Sequence, residues 1–312
     1  MEKTKNGMRK NKRGFRADLP FYGLLAPAVV FTLVFAYLPM GGILIAFKNF
    51  DARVGYWASP WADNFGFQHF IYIFKTPAFT QAMLNTLYLN VLALLAGFPA
   101  PLLFALLLNE VRFKPAKRAV QTVSYLPYFL AWISVTGLAV TILAPDGIVN
   151  NILYRLGAEP VLFLQNPKTF TPLYLFLTVW KSVGWGSIIF LANIAAISSE
   201  LYEAATLDGA NRWKRVWHIT LPALLPTTMI LLILQLGQLF GSNFELVYGL
   251  QNAYMDTDVI STAVYKFGLG RDGGSLKREA STALGLMQSA IALGLTLGAN
   301  FVSKKVAKIS LW

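Results

Sequence analysis

Glu203-Ala204-Ala205-Thr206-Leu207-Asp208-Gly209, then nine residues, then Ile219-Thr220-Leu221-Pro222, form a polar island between two long apolar runs. The runs that flank the island set the fold class. Of the 312 residues 55% are hydrophobic and only 13% are charged, and the mean hydropathy is +0.51. That charged share is about half that of an ordinary soluble domain. A soluble fold cannot hide so much apolar surface, so the chain reads as an all-α integral membrane protein with spans of about 20 residues each. The runs are too long for barrel strands and lack their alternation.

Working outward from the island, six spans are expected. They cover roughly 19–47, 79–109, 120–144, 171–197, 221–247 and 281–302. Prolines 27, 39, 99 and 101 fall inside them, which is tolerable where neighbouring helices satisfy the freed backbone groups. The implied organisation is a basic arm (1–18), a first span with its outer loop (19–78), a five-helix transmembrane domain (79–303) with the island at 199–222, and a tail (304–312). The run from Leu19 is too long for the apolar core of a signal peptide and is read as a retained helix. Trp57, Trp61, Phe65 and Phe67 mark the 48–78 loop as interfacial.

Six spans put both termini on one side. About 17 of the 27 Lys and Arg lie in the arm, the 110–119 loop, the island and the tail, so the positive-inside rule assigns these to the cytoplasm. The same rule accounts for the net charge of +12 without nucleic acid. With no cysteine there is no disulfide framework or thiolate site, and His69 and His218 have no partner at ligand spacing for a metal. No GxxxxGK[ST] phosphate loop is present. Gly268-x-Gly270 and Gly273-Gly274 lack the strand–helix context of a dinucleotide site. The spans hold no cluster of His, Asp, Glu or Ser suited to an embedded enzyme, and no catalytic residue is assigned.

Within the island, Ser199 is placed to cap a helix beginning at Glu200, with Glu200 and Glu203 in its first turn near unpaired N–H groups. Leu201, Ala204, Ala205 and Asp208 share a face, and the alanines leave it smooth enough for close approach by another protein. Gly209 ends or bends the helix. A second short helix carries Trp213, Val216 and Trp217, with Arg212 and Arg215 nearby. On physical grounds alone two readings stay open: a connector resting on lipid headgroups, or a docking surface for a protein.

Glu203-Ala204-Ala205, three residues, Gly209, nine residues, Ile219-x-Leu221-Pro222 resembles the EAA loop of ABC importer permeases in every residue type and spacing. The resemblance runs over about 80–303 and includes Asn85-Thr86. Tyr125-Leu126-Pro127, Trp180-Lys181-Ser182-Val183-Gly184-Trp185, Leu201-Tyr202, Phe244-Glu245, Asp258-Val259-Ile260 and Ser310-Leu311-Trp312 are similar to the sugar-importer permeases, more narrowly the complex-polysaccharide group of Gram-positive bacteria. The resemblance implies a type I importer transmembrane domain in the plasma membrane of a bacterium. It also implies a second, homologous permease as heterodimer partner, two ATPase subunits that bind ATP and Mg, and a lipid-anchored extracellular binding protein that delivers oligosaccharide. The chain itself is then no enzyme and holds no cofactor. Glu203, Ala204, Ala205, Leu207, Asp208, Gly209 and Arg212 would form the ATPase-coupling site.

Polar groups inside spans usually face the bundle interior. Trp180, Lys181, Trp185, Asn193, Gln235, Gln238 and Asn243 are therefore candidates to line a sugar path, with Lys181 able to meet the carboxylate of an acidic sugar. The alternative is that they hold helices together, Lys181 snorkelling or pairing with Glu245. Trp61, Asp256 and Asp258 are candidates for touching the binding protein. Competing functions are the same fold carrying another small solute, or a secondary transporter working alone; the spans show no obvious inverted repeat.

Overall fold

The computed structural model describes residues 15–241, 243–251, 257–269 and 277–306. Asp256, Gly270, Gly273-Gly274, Lys308, Ser310-Leu311-Trp312 and most of the basic arm lie outside the described residues. Those described are almost wholly helical, and six helical stretches are long and apolar enough to cross a membrane: Leu19–Phe47, Pro77–Glu110, Trp132–Arg155, Pro167–Ala195, Arg212–Gly237 and Arg278–Lys305.

The first stretch is α1 (Phe15–Thr32), continued by a π segment (Leu33–Tyr37) and a 3₁₀ segment (Leu38–Phe47) with Pro39 in its first turn. Two short helices, α2 (Gly55–Ala58) and α3 (Gln68–Lys75), lead to α4 (Pro77–Gly97) and α5 (Pro99–Glu110). Then come α6 (Lys114–Tyr125), a 3₁₀ turn (Leu126–Phe129), α7 (Trp132–Leu143) and α8 (Ile148–Arg155). The long α9 (Pro167–Ala195) precedes the island helices α10 (Ser199–Leu207) and α11 (Arg212–Arg215). A π turn (Val216–Thr220) runs into α12 (Leu221–Gly237), followed by α13 (Phe244–Leu250), α14 (Ile260–Leu269) and α15 (Arg278–Val306).

Three apolar clusters hold the bundle. Phe170, Tyr174 and Leu177 of α9 pack with Leu89 of α4, Val135 of α7 and Leu246 and Val247 of α13. Ala46, Ile73, Phe79 and Ala82 join Ile260, Ala263 and Leu284. Ala105, Phe190, Ile194 and Leu224 seal α5, α9 and α12 together. Between membrane helices lipid is as apolar as the core, so close packing and buried polar ties carry much of the specificity. Gly237 of α12 lies under Thr296 of α15, where any Cβ would clash with the threonine hydroxyl at 2.1 Å. Asn85 donates to the Asp258 carbonyl at 3.0 Å, and the Thr86 hydroxyl accepts from the Ile260 N–H at 2.8 Å. The Asn85-Thr86 pair thus ties α4 to the entry of α14.

Two expected spans turn out to be interrupted. The stretch expected at 120–144 is broken: α6 stops at Tyr125, and Leu130 and Ala131 are extended before α7 starts. The helix resumes at α8, inside what reads in sequence as a loop. The stretch expected at 221–247 ends at Gly237 and restarts at Phe244. Each break is held by side chains from other helices. At the second, Asn90 donates to the carbonyls of Leu239 and Gly241 at 2.9 and 2.5 Å, and Gln288 donates to Phe240 O at 2.6 Å. Irregular backbone at membrane depth needs such partners, because lipid offers none.

On the far side from the island, Asp258 is half-buried in a network. It pairs with Lys266 at 3.0 Å and accepts from Gln251 and Thr262. It therefore braces α14. Lys277 donates to the Tyr72 hydroxyl at 2.8 Å, a bond that holds the phenol below its ordinary pKa. Asn150 ties the 144–161 loop through both Ala144 O and Val161.

Candidate functional site: the island and the broken third span

The island helix begins one residue earlier than its sequence suggests. Ser198, not Ser199, is the cap, its hydroxyl accepting from the Glu200 N–H at 3.3 Å. Ser198 has an extended backbone while Ser199 is already helical, and only a non-helical residue can turn its side chain back onto the first turn. The far end closes as a Schellman motif. Ala210 N–H reaches Ala205 O at 2.8 Å and Gly209 N–H reaches Thr206 O at 3.1 Å, with Gly209 at φ 75°, the left-handed region that such a cap requires.

The island is also stitched to the segment that leads into α12. The Tyr202 hydroxyl meets Thr220 Oγ1 at 2.9 Å, and Arg215 donates to Thr206 Oγ1 at 3.1 Å. Tyr202 and Ala205 turn partly inward, so Ala205 is half-buried, whereas Glu203, Ala204, Leu207 and Asp208 are exposed. Leu207 is 90% exposed. Glu203 and Leu207 line an open groove of about 560 Å³ together with Ser199, Tyr202, Thr206 and Arg215. Arg212 stands apart from these, 3.9 Å from Glu110 at the end of α5. Both side chains are largely exposed, so this contact adds little stability. Trp213 and Trp217 are exposed as well.

The polar residues expected along a path divide into two groups. Asn193 is bound to a neighbouring helix through Thr227 at 3.1 Å, and Asn243 caps α13 by accepting from Leu246 N–H. Gln235 and Gln238 are exposed near the end of α12, and Trp180 packs against the first apolar cluster. These do not converge. Lys181, Gly184 and Trp185 do: they share one face of α9 at spacings of three and four, and that face meets the break in the third span. The Lys181 ammonium donates to the carbonyls of Tyr128 and Leu130 at 2.7 Å each and of Pro127 at 3.3 Å. It lies 5.4 and 5.1 Å from the ring centres of Tyr128 and Trp132. It makes no direct ion pair with Glu245, which acts on it only from a distance: its side chain is buried and its three N–H groups are taken by the backbone. Gly184 gives Ser124 room, since a Cβ there would stand 2.0 Å from Ser124 O. Trp185 stacks on Tyr128 with ring centres 4.7 Å apart and planes 6° apart, and Phe129 meets Trp185 edge-on at 5.3 Å.

Tyr128 and Phe129 escape notice in the sequence because an aromatic pair inside an apolar run looks like core or lipid contact. Pro127 beside them is the one local sign of a break.

Residues 97–308 match the family model for the binding-protein-dependent transport system inner membrane component. The chain is 41% identical over 293 residues to Protein LplB of Bacillus subtilis (strain 168), covering 93% of this chain and 90% of the relative. It is also 41% identical over 287 residues to the polygalacturonan/rhamnogalacturonan transport system permease protein YteP of the same organism, covering 91% and 87%. Its fold matches a chain in the crystal structure of a bacterial ABC transporter involved in the import of the acidic polysaccharide alginate, with a TM-score of 0.84 at 39% identity, covering 93% of this chain and 97% of the other. With the island, the six spans and this extent of similarity together, the chain belongs to the binding-protein-dependent transport inner membrane components, the multi-pass permease subunits of bacterial ABC importers.

Proposed function

We propose that this permease carries oligosaccharides, delivered by an extracellular binding protein, and that the island is where separate ATPase subunits grip it. The observation that carries the docking half is the island itself: a doubly capped helix whose exposed Glu203, Ala204 and Leu207 lie at or beside an open groove. An exposed leucine on a rigid, smooth helix is the kind of knob a partner's cleft takes up. The cargo half is supported by two similar proteins. One is named for polygalacturonan/rhamnogalacturonan transport. The other is a transporter solved with an alginate pentasaccharide-bound periplasmic protein, 39% identical at a TM-score of 0.84. The working assembly pairs this chain with a second, related permease and two ATPase subunits that bind ATP and Mg. Both termini and the island lie in the cytoplasm, on the side rich in Lys and Arg.

The deciding experiment is reconstitution of the full complex in liposomes with labelled oligosaccharide presented on its binding protein. ATP-dependent uptake is expected; uptake that proceeds equally without ATP overturns the reading. Two variants address the island. Glu203→Lys reverses the charge at the groove and is expected to lower uptake at least tenfold while spans and assembly stay intact. Gly209→Val forces a β-branched residue into left-handed backbone, at roughly 1–2 kcal/mol, and frays the end of α10. Its complex is expected to hydrolyse ATP without matching transport. Normal uptake and normal ATPase retention in both variants would remove the island from the docking site.

A further inference from the structure

We infer that the groove between the first span, α14 and α15 binds an acidic phospholipid, its phosphate on Arg278 and one acyl chain along the groove. The groove measures about 770 Å³, inside the range of about 300–1,000 Å³ usual for a small-ligand cleft. Its walls are apolar. Met40, Ile43 and Ile45 come from the 3₁₀ segment of the first span, Val264 and Leu269 from α14, and Leu286 from α15. The floor is a face of α15 that starts at Arg278 and passes Ser281 and Gly285 to reach Ser289, at spacings of three and four. Gly285 keeps the floor low, since a Cβ there would meet nothing within 4 Å. From Arg278 to Ser289 the helix rises about 16 Å. Half the hydrocarbon core of a bilayer is about 15 Å. The groove is therefore one leaflet deep, and it lies on the side remote from the island, beyond the contacts of α15 with Gly237 and Phe240.

Two groups along the groove are left without partners. The Arg278 guanidinium is exposed, 6.0 Å from the Phe50 ring centre, and no carboxylate pairs with it among the described residues. Its neighbour Lys277 is already engaged by the Tyr72 hydroxyl and by the faces of Tyr72 and Phe267. Glu279, next along α15, does not line the groove. One turn further in, Ser281 is 3% exposed and its hydroxyl makes no hydrogen bond. A buried polar group without a partner is costly and calls for one. A phospholipid supplies both partners in the order that the groove presents them. Its phosphate lies at the interface, where a guanidinium can hold it by two parallel N–H bonds. Its ester carbonyls come next, at the level of Ser281, and the acyl chain continues past Gly285 towards Ser289 and Met40. An apolar helix laid in the groove would cover the walls but leave Arg278 and Ser281 unanswered. An acidic headgroup is favoured because Arg278 is a cation without a counter-ion. The position gives the lipid a task. From Leu19 through Met40 the first span is exposed throughout, and the 3₁₀ segment is where it packs on α15. A lipid wedged there fastens that span to the bundle.

The test uses the full complex in phosphatidylcholine vesicles that contain a small fraction of phosphatidylglycerol with a photoreactive diazirine midway along one acyl chain. Irradiation is expected to attach the probe chiefly to peptides holding residues 40–45 or 285–289. Unlabelled phosphatidylglycerol is expected to compete about fivefold better than additional phosphatidylcholine, the preference that one unpaired basic side chain confers. This competition is read on the unaltered complex and needs no variant to fold. Gly285→Leu fills the floor and is expected to remove most of the labelling, whereas Gly285→Ala leaves it. Arg278→Gln is expected to abolish the preference for phosphatidylglycerol, and Arg278→Lys to keep part of it. Equal competition by the two lipids in the unaltered complex overturns the inference. So does labelling spread evenly over the lipid-facing helices, or labelling that neither Gly285→Leu nor Arg278→Gln alters. A diazirine side chain placed at Met40 that cross-links to another subunit and not to lipid shows that protein covers the groove, and the inference is then wrong.

Discussion

Replacing Gly184 with alanine is expected to remove most of the folded protein. The added Cβ would stand 2.0 Å from Ser124 O and 2.4 Å from its carbonyl carbon. Neither atom belongs to a side chain that can swing away. Ser124 is in the last turn of α6, and the three carbonyls gripped by Lys181 follow within six residues, so the backbone there is held on both sides. To make room, α6 and α9 would have to part by about 1 Å, and the Lys181 bonds would lengthen with them. Forced overpacking of a tight contact costs typically 1–3 kcal/mol and occasionally more. Here the loss of the clamp adds to it. Steady-state protein in the membrane and resistance to mild SDS unfolding should both fall sharply. Alanine at Gly285, whose added Cβ meets nothing within 4 Å, should leave both near normal. Equal behaviour of the two variants would show that α6 and α9 do not approach as described.

Lys181→Met carries the second large effect. Methionine fills much the same volume but donates nothing. The carbonyls of Pro127, Tyr128 and Leu130 would then be deprived of their charged donor. Hydrogen bonds to charged groups are worth about 1.5–3 kcal/mol, and a buried acceptor left unmade costs about 1–3 kcal/mol. A loss of roughly 3–5 kcal/mol is expected. Against that stands the relief of no longer burying an ammonium, which keeps the loss below the sum over three bonds. Lys181→Arg should retain part of the stability, since its fork can reach two carbonyls but not three from one point. Chemical unfolding in mixed micelles reads the order Lys, Arg, Met. A methionine variant as stable as the unaltered protein would mean that the carbonyls find other partners.

The spans were legible in the sequence because length and hydropathy report them directly. The first, second, fourth and sixth stretches fall where their apolar runs put them. The third and fifth do not, because hydropathy does not distinguish a continuous helix from two pieces with a satisfied break between them. Residues 126–131 and 238–243 are flanked by apolar residues on both sides, and 126–131 are as apolar as their neighbours. The groups that make those breaks tolerable, Lys181, Asn90 and Gln288, lie on other helices tens of residues away. The island was legible down to its closing glycine, since caps are local. Its starting serine was misplaced by one because two adjacent serines, Ser198 and Ser199, suit a cap equally well by type. Lys181 was visible as an oddity, but its partners were backbone atoms, which no residue type announces. For Asn193 and Asn243 the bonding to Thr227 and Leu246 N–H favours the simpler of the two readings, that of ties within the bundle.

The pairing of Tyr202 with Thr220 and of Arg215 with Thr206 has a mechanical consequence. Thr220 is the last residue before α12, and Tyr202 is the fourth of α10, so the two helices share a joint that short bonds cross. On the other side, Ala196, Ile197 and Ser198 link α9 to α10 without a comparable cross-brace among the described residues. A load applied to the outer edge of α10 therefore meets a stiff side and a compliant side. It reaches the base of α12 first, and passes to α9 only through α12, by the Leu224 packing and the Asn193–Thr227 bond.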